Sequence, residues 1–407
     1  MKEIEKGICA PKGFFAGGIR CGIKESSQKK DLALIYSHQF CSAAAMFTMN
    51  KVKAASVQVT QENISDGKLR AVIANSGNAN ACTGQDGLSA AKRMAQITAD
   101  AFLINPSEVA VASTGVIGVP LPIDVIEKNI DALKASLRDD GQGHADALEA
   151  IMTTDTRKKE IAVEIEIGGK TVRIGAMAKG SGMIHPNMAT MLAFITTDAA
   201  VIPSALDLSL RRAVKRSFNR LTVDGDTSTN DMVLVMANGE AGNTHLTPES
   251  EGYETFRDAL EYVCVSLTRM MARDGEGATK LVTVTVTGAK YEETAETLAK
   301  SVASSSLVKT ACFGADANWG RVLCAMGYAG VDFSPEKTDV SFKSAVGEIQ
   351  VCKNGGPVSF SEEKAKKILS EEEIEILVGL QDGNAKASVW GCDLTYDYVK
   401  INGDYRS

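Results

Sequence analysis

Runs of β-branched and small apolar residues alternate along this chain with glycine-rich polar loops, and each run carries its own period. Leu69-Arg-Ala-Val-Ile-Ala-Asn75 is short, apolar and ends in a polar turn, which predicts a strand. From Leu88 to Phe102 the apolar residues recur at helical spacing. Val109-Ala-Val-Ala-Ser113 predicts a second strand running into a turn. Ile161–Ile167 and Thr171–Ile174 flank Gly168-Gly169-Lys170, the signature of a hairpin. Leu206–Phe218 and Tyr253–Met271 read as amphipathic helices, and Leu281–Thr287 alternates as a half-buried strand. At Ala295 the texture changes, and a second helix-and-strand unit runs to the C-terminus. Within it, Glu362–Leu377 is polar and helix-forming, and reads as a solvated surface helix pair. The mixture predicts an α+β protein with helices covering sheets, and 407 residues suffice for two domains.

Composition narrows the function classes. Hydrophobic residues make up 44% and charged residues 23%, ordinary values for a soluble globular protein. The net charge of -7, with no basic run, argues against a general nucleic-acid binder. No stretch is long and apolar enough to span a bilayer, and Met1-Lys-Glu-Ile-Glu-Lys6 lacks the apolar core of a signal peptide. The nine cysteines are scattered without a Cys-x-x-Cys pair, so a zinc cage is not expected. Cys41 and Cys264 sit among apolar neighbours as small buried hydrophobes. Free thiols in a reducing cytoplasm are the expectation.

The densest chemistry lies in Lys179-Gly-Ser-Gly-Met-Ile-His-Pro-Asn-Met-Ala-Thr190-Met-Leu-Ala-Phe. Thr190 follows a small residue between a polar loop and an apolar run. Its hydroxyl could attack the carbonyl of Ala189, shift the acyl group from N to O, and leave an ester for water. The new chain would begin at Thr190, whose free α-amine, with a pKa of about 8, can then serve as the base for its own hydroxyl. The same stretch also reads as a structural threonine before a buried strand. Thr114-Gly115, at the end of the second strand, can offer a hydroxyl and a backbone N–H to an oxyanion, or form an ordinary turn. Lys179 can pair with a substrate carboxylate, or be solvated. Thr153 and Thr154 bring hydroxyls from another loop. Glu276 lies between Gly275 and Gly277, where a ligand can approach closely and a carboxylate can bind an ammonium. Asp224–Asp231 has the oxygen density of a metal loop but lacks EF-hand spacing, so a structural turn is expected and no metal. Asn75–Asn80 lacks the lysine of a phosphate loop. His185 is expected to shape the loop before Thr190, since an N-terminal threonine needs no separate base.

Gly180–Leu192 resembles the processing site of the ornithine acetyltransferase family, the arginine-biosynthesis glutamate N-acetyltransferases. Asn75–Gly84, Ser113–Gly118, Met152–Thr156, Thr222–Asp231, Asp274–Lys280, Asp316–Arg321 and the terminal Ile401–Ser407 resemble the same family, in order along essentially the whole chain. The family's last residue is usually threonine, and here it is Ser407, which keeps the hydroxyl and the terminal carboxylate. The resemblance implies a four-layer α/β/β/α core of the self-processing N-terminal-nucleophile type with a smaller C-terminal α/β domain. It divides the chain into residues 1–189 as an α fragment, 190–288 as the rest of the catalytic core, and 289–407 as a C-terminal domain whose tail returns to the site. It implies cleavage between Ala189 and Thr190, and a ping-pong transfer of acetyl from N2-acetylornithine to glutamate through Thr190. Thr114 and Gly115 then form the oxyanion hole. Thr153, Lys179, Thr190, Glu276, Asn402 and Ser407 hold substrate. No cofactor is required, and some members also accept acetyl-CoA as donor. Two α and two β fragments per assembly are implied. The rival with the same nucleophile is an aminopeptidase or amidase that releases product to water.

Overall fold

The computed structural model describes residues 1–24, 27–185 and 191–404. The first stretch of chain gives β1 (Lys2–Ile4), β2 (Phe14–Ile19), β3 (Leu32–Phe47), α1 (Ala55–Asn63), β4 (Lys68–Asn78), α2 (Gly84–Phe102), β5 (Val109–Val116), α3 (Ile123–Ala135) and α4 (Gly141–Ile151). Next come the hairpin β6 (Lys159–Ile167) and β7 (Lys170–Lys179), then β8 (Leu192–Thr197), α5 (Pro203–Arg216), β9 (Leu221–Thr222), β10 (Met232–Ala237) and α6 (Tyr253–Arg273). The remainder supplies β11 (Leu281–Ala289), α7 (Glu292–Ser304), α8 (Ser306–Phe313), α9 (Trp319–Gly327), β12 (Asp339–Ser344), β13 (Gly347–Lys353), β14 (Gly356–Pro357), α10 (Glu362–Leu369), β15 (Glu373–Gly379), β16 (Ala385–Cys392) and α11 (Tyr396–Asp404).

The larger sheet runs β1-β6-β7-β8-β10-β3-β4-β5, with β2 also on β3. Its layers follow from side-chain alternation. On β4 and β5, Ala71, Ile73, Val109 and Val111 face α1, α2 and α3, while Val72, Ala74, Ala110 and Ala112 face the other way. On β8 and β10, Ala193, Ile195, Val233 and Val235 face α5 and α6, while Leu192, Phe194, Met232 and Leu234 face inward. The long β3 joins the halves. Its first part pairs with β2 and β4, its last part pairs with β10, and the β3–β4 register slips between Tyr36 and Cys41. The sheet thus folds over on itself about β3, with one apolar layer inside and helices on both outer faces. This is the α/β/β/α core. Helix α4 packs with the inner layer through Ala147, Leu148, Ala150 and Ile151.

The second sheet runs β14-β13-β12-β15-β11-β16-β9. Its apolar face is covered by α7, α8, α9 and α10. Two expectations are corrected here. β11 ends at Ala289 and pairs with β15 and β16, so this sheet begins before the division drawn at residue 289. Glu362–Leu377 is not a pair of surface helices. Only α10 is helical, and the rest enters β15 between β11 and β12. Glu373-Ile-Glu-Ile376 has period two: Ile374, Ile376 and Val378 are buried, and the glutamates face out. Glutamate's helix propensity masked this alternation, and burial overrode it. Cys41 and Cys264 are buried as expected, with burial raising the proton affinity of both thiols, that of Cys41 to about 12.

The strand assignment sets opposite expectations for neighbours. Ile376→Ala should cost about 2–5 kcal/mol of stability, because it empties a core site. Glu375→Ala loses only a half-exposed pair with Lys343 at 3.3 Å and should shift stability by about 0.5 kcal/mol or less. Denaturant midpoints measure both, and equal losses would contradict the alternation.

Candidate functional site

A cavity of about 110 Å³ opens at one end of the folded sheet, where β5 and β7 end and β8 and β10 begin. Thr114, Gly115, Thr153, Thr154, Lys179, Glu276 and Asn402 all line it, from five separate segments. Every expected site residue within the described chain is therefore in one place. Ala189, Thr190 and Ser407 lie outside the described residues. Met191, bonded to residue 190, is buried and lines the cavity.

Each wall is held by a local device. Thr114 and Gly115 stand on β5 beside Ser76 and Gly77 of β4. Gly115 has φ +132, and a Cβ there would fall onto the Gly77 carbonyl carbon, so only glycine fits. The asparagines of Asn75–Asn80 face the backbone rather than a ligand. Asn75 Nδ2 donates to Asn78 O at 2.9 Å, Asn78 Nδ2 to Val119 O and Pro120 O at 3.1 Å each, and Asn80 Nδ2 to Gly87 O at 2.9 Å. Asn230 Nδ2 donates to Ala79 O at 2.6 Å and Ser113 O at 2.8 Å, pinning the Thr114 strand to the segment before β10.

Lys179 ends β7 on the inner face, buried, with Nζ 3.2 Å from Thr114 Oγ1 as donor. Burial lowers its proton affinity, while Asp155, Glu276 and Asp231 work to keep the charge. Lys159 opens β6 beside it. Its Nζ donates to Asp155 Oδ1 at 2.6 Å and to Asp274 Oδ2 at 2.5 Å, all three side chains being almost wholly buried. Asp155 also accepts the N–H of Gly180 at 2.7 Å and of Thr153 at 3.0 Å. Asp274 accepts the N–H groups of Thr156 and Arg157 at 3.1 and 3.2 Å, and the Thr156 hydroxyl. Burial works to raise the Asp155 carboxyl, but Lys159 and Lys179 outweigh it, so the group lies well below the usual carboxylate range. One buried Asp–Lys–Asp triad thus ties together the Thr153–Thr154 loop, the strand end carrying Lys179, and the loop carrying Glu276.

Glu276 accepts from Asn402 Nδ2 at 2.8 Å, which seats α11 over the site. Thr154 and Ser181 share a hydroxyl–hydroxyl bond at 2.7 Å, whereas the Thr153 hydroxyl has no such bond among the described residues. The Asp224–Asp231 segment acts as an anchor. Asp224 accepts the N–H of Met183 at 2.6 Å and of Ile184 at 2.8 Å, and Thr227 donates to His185 O at 2.8 Å. His185 Nδ1 lies 3.0 Å from Thr222 Oγ1, and burial, with Lys300, pushes its pKa down to about 4. It holds the 181–185 loop, as expected, and does not line the cavity. Asp155, Lys159, Asn230 and Asp231 were not singled out from sequence. The signal for Lys159 was strand parity, since it shares the buried face of Ile161, Val163 and Ile165.

Fold and cavity define an α+β enzyme with a buried, polar, charge-dense site at one end of a folded sheet. A model of the ArgJ family matches residues 15–407. The chain is 54% identical over 408 residues to the arginine biosynthesis bifunctional protein ArgJ of Symbiobacterium thermophilum, with 100% of both chains covered. It is similar to the crystal structure of arginine biosynthesis bifunctional protein argJ from Bacillus halodurans, at 49% identity and a TM-score of 0.50, over 52% of this chain and 98% of that one. It is also similar to an ornithine acetyltransferase of Mycobacterium tuberculosis solved with ornithine, at 40% identity and a TM-score of 0.43, over 46% of this chain and 99% of that one. The chain belongs to the ArgJ family.

Removing the lysine of the triad leaves the buried Asp274 without its ion-pair partner and Asp155 with only the field of Lys179. Lys159→Met should therefore cost about 3–5 kcal/mol, read as a lowered denaturant midpoint. A midpoint unchanged from wild type would show that the triad does not hold the loops.

Proposed function

We propose that this enzyme is an N-terminal-threonine acetyltransferase of arginine biosynthesis. The chain cuts itself between Ala189 and Thr190. The freed Thr190 takes acetyl from N2-acetylornithine, releases ornithine, and passes the acetyl to glutamate. Thr114 and Gly115 stabilise the oxyanion, Lys179 pairs with the α-carboxylate common to both substrates, and Thr153, Glu276, Asn402 and Ser407 complete the pocket. The observation that carries this reading is the convergence of Thr114, Gly115, Lys179, Glu276 and Asn402 on one cavity that Met191 also lines. The relatives' description as bifunctional fits acetyl-CoA as a second donor. The reaction conserves the acyl group, so neither metal nor nucleotide is needed.

Cleavage would leave the two fragments interlocked. β8 pairs with β7, and β10 with β3, across the cut, so one sheet is built from both. Fragment 190–407 is just over half of the chain. The Bacillus halodurans chain is matched over 98% of its length by 52% of this one, the proportion a fragment would give. Two α and two β fragments per assembly, in the cytoplasm, complete the proposal. No helix among the described residues is long and apolar enough to cross a membrane.

The test is the fate of the acetyl group. With N2-acetylornithine and glutamate, N-acetylglutamate should form faster than free acetate. Predominant acetate would make the enzyme an amidase instead. Lys179→Met keeps the stem and removes the charge, so it should weaken both half-reactions together while the chain is still cut. Loss of glutamate use alone would assign Lys179 to the side-chain carboxylate.

A further inference from the structure

Self-cleavage poses a problem that the finished enzyme does not have. In the cut enzyme the α-amine of Thr190 takes the hydroxyl proton. In the uncut chain that nitrogen is an amide and cannot act as a base. Another group must accept the proton while Oγ attacks the Ala189 carbonyl.

The cavity offers few candidates. Lys179 donates to Thr114 Oγ1, and the carboxylates of Asp155, Glu276 and Asp231 work to keep its proton in place. Both oxygens of Asp155 are taken by Lys159, Gly180 and Thr153. Glu276 accepts from Asn402 through Oε2 and is carried by the loop after α6, not by a strand paired beside Met191. Asp231 differs. It lines the cavity, is 1% exposed, and its Oδ2 has no hydrogen-bond partner among the described residues. A buried carboxylate oxygen left unpaired is costly and calls for an explanation. Asp231 immediately precedes β10, which runs parallel to β8 with Met232 opposite Leu192. Met232 N donates to Met191 O at 2.9 Å. The strand pairing therefore sets Asp231 beside Met191, one residue from the bond to be cut.

We propose that Asp231 is the base of chain cleavage, accepting the Thr190 hydroxyl proton in the uncut chain, where no free α-amine exists to do so. The step balances. Oγ bonds to the Ala189 carbonyl carbon as its proton passes to the Asp231 carboxylate. The C–N bond then breaks, and Asp231 returns the proton to nitrogen, leaving an ester and a free amine. Water hydrolyses the ester, giving the Ala189 carboxylate and the Thr190 hydroxyl. Asp231 is regenerated, and stands ready as counter-charge to the new ammonium. Burial raises its proton affinity well above the usual range, opposed by Ser228, the Met191 amide, Thr48 and the Lys179 charge. Lys179 and Glu276 face the same cavity, and Asp155 lies behind Lys179. A carboxylate so raised is a stronger base, and it is switched off as the pH falls.

This inference rests on the threonine reading of the cut, and the experiment separates the two. Wild type, Asp231→Asn and Thr190→Ala are made in a cell-free system with labelled methionine, and cutting is followed on denaturing gels across pH. Wild-type cutting should slow as the pH drops. Asp231→Asn, with native circular dichroism, should cut about 10²-fold slower or worse, and that acid limb should vanish. Cutting within about threefold of wild type, or an acid limb that persists, overturns the proposal. If the asparagine variant lacks native dichroism, Asp231→Ala with added formate replaces it: restored cutting supports the base, and none overturns it. Thr190→Ala that is still cut at the same bond removes the threonine reading itself. An uncut Thr190→Ala beside a freely cutting Asp231→Asn removes only Asp231.

Discussion

The geometry of the site depends on one buried cation. Lys159 sits between Asp155 and Asp274 with all three side chains out of water. Through them it fixes the amides of Thr153, Thr156, Arg157 and Gly180. These amides belong to the loop after α4 and to the end of β7, while Asp274 itself begins the turn that carries Glu276. A buried ion pair adds little net stability over a well-packed apolar pair, but breaking one side is costly. Its use here is positional. Substrate-holding groups must be kept within a fraction of an ångström, and loops do not achieve that unaided.

Around this fixed frame the cavity carries charges of both signs. Lys179 is a cation weakened by burial, and Asp231 an acid made more basic by it. Desolvation thus pushes each toward its neutral form, and each resists through the other's field. Such opposed shifts suit proton transfer within the cavity. The folded sheet supports the arrangement mechanically. Strands from both sides of the 189–190 junction pair with each other, so the bond can be cut without releasing either fragment.

Much of this was legible in the sequence. The hairpin β6–β7, the helices α2, α5 and α6 and the strand β11 follow from periodicity alone. Thr114, Lys179, Glu276 and Asn402 were marked by glycine-flanked or terminal motifs, and the structure gathers them. The rest was hidden for physical reasons. Lys159 sits in Arg157-Lys-Lys-Glu160, which resembles a solvated charge run, and only the parity of the following strand reveals its burial. Asp231 closes a segment so rich in hydroxyls and carboxylates that none of its oxygens stood out. β15 was misread because glutamate favours helices while its alternating isoleucines need a sheet. The halves of the folded sheet meet through contacts far apart in sequence, which no local pattern encodes.

The central claim is that acetyl rests on Thr190 between the two half-reactions. Enzyme mixed with N2-acetylornithine carrying a 13C-labelled acetyl group, quenched without glutamate and digested, tests this by peptide mass mapping. One labelled acetyl should appear on the peptide that begins at Thr190 and should disappear when glutamate is added before the quench. A labelled acetyl on any other residue, or turnover with no labelled peptide, would contradict the account.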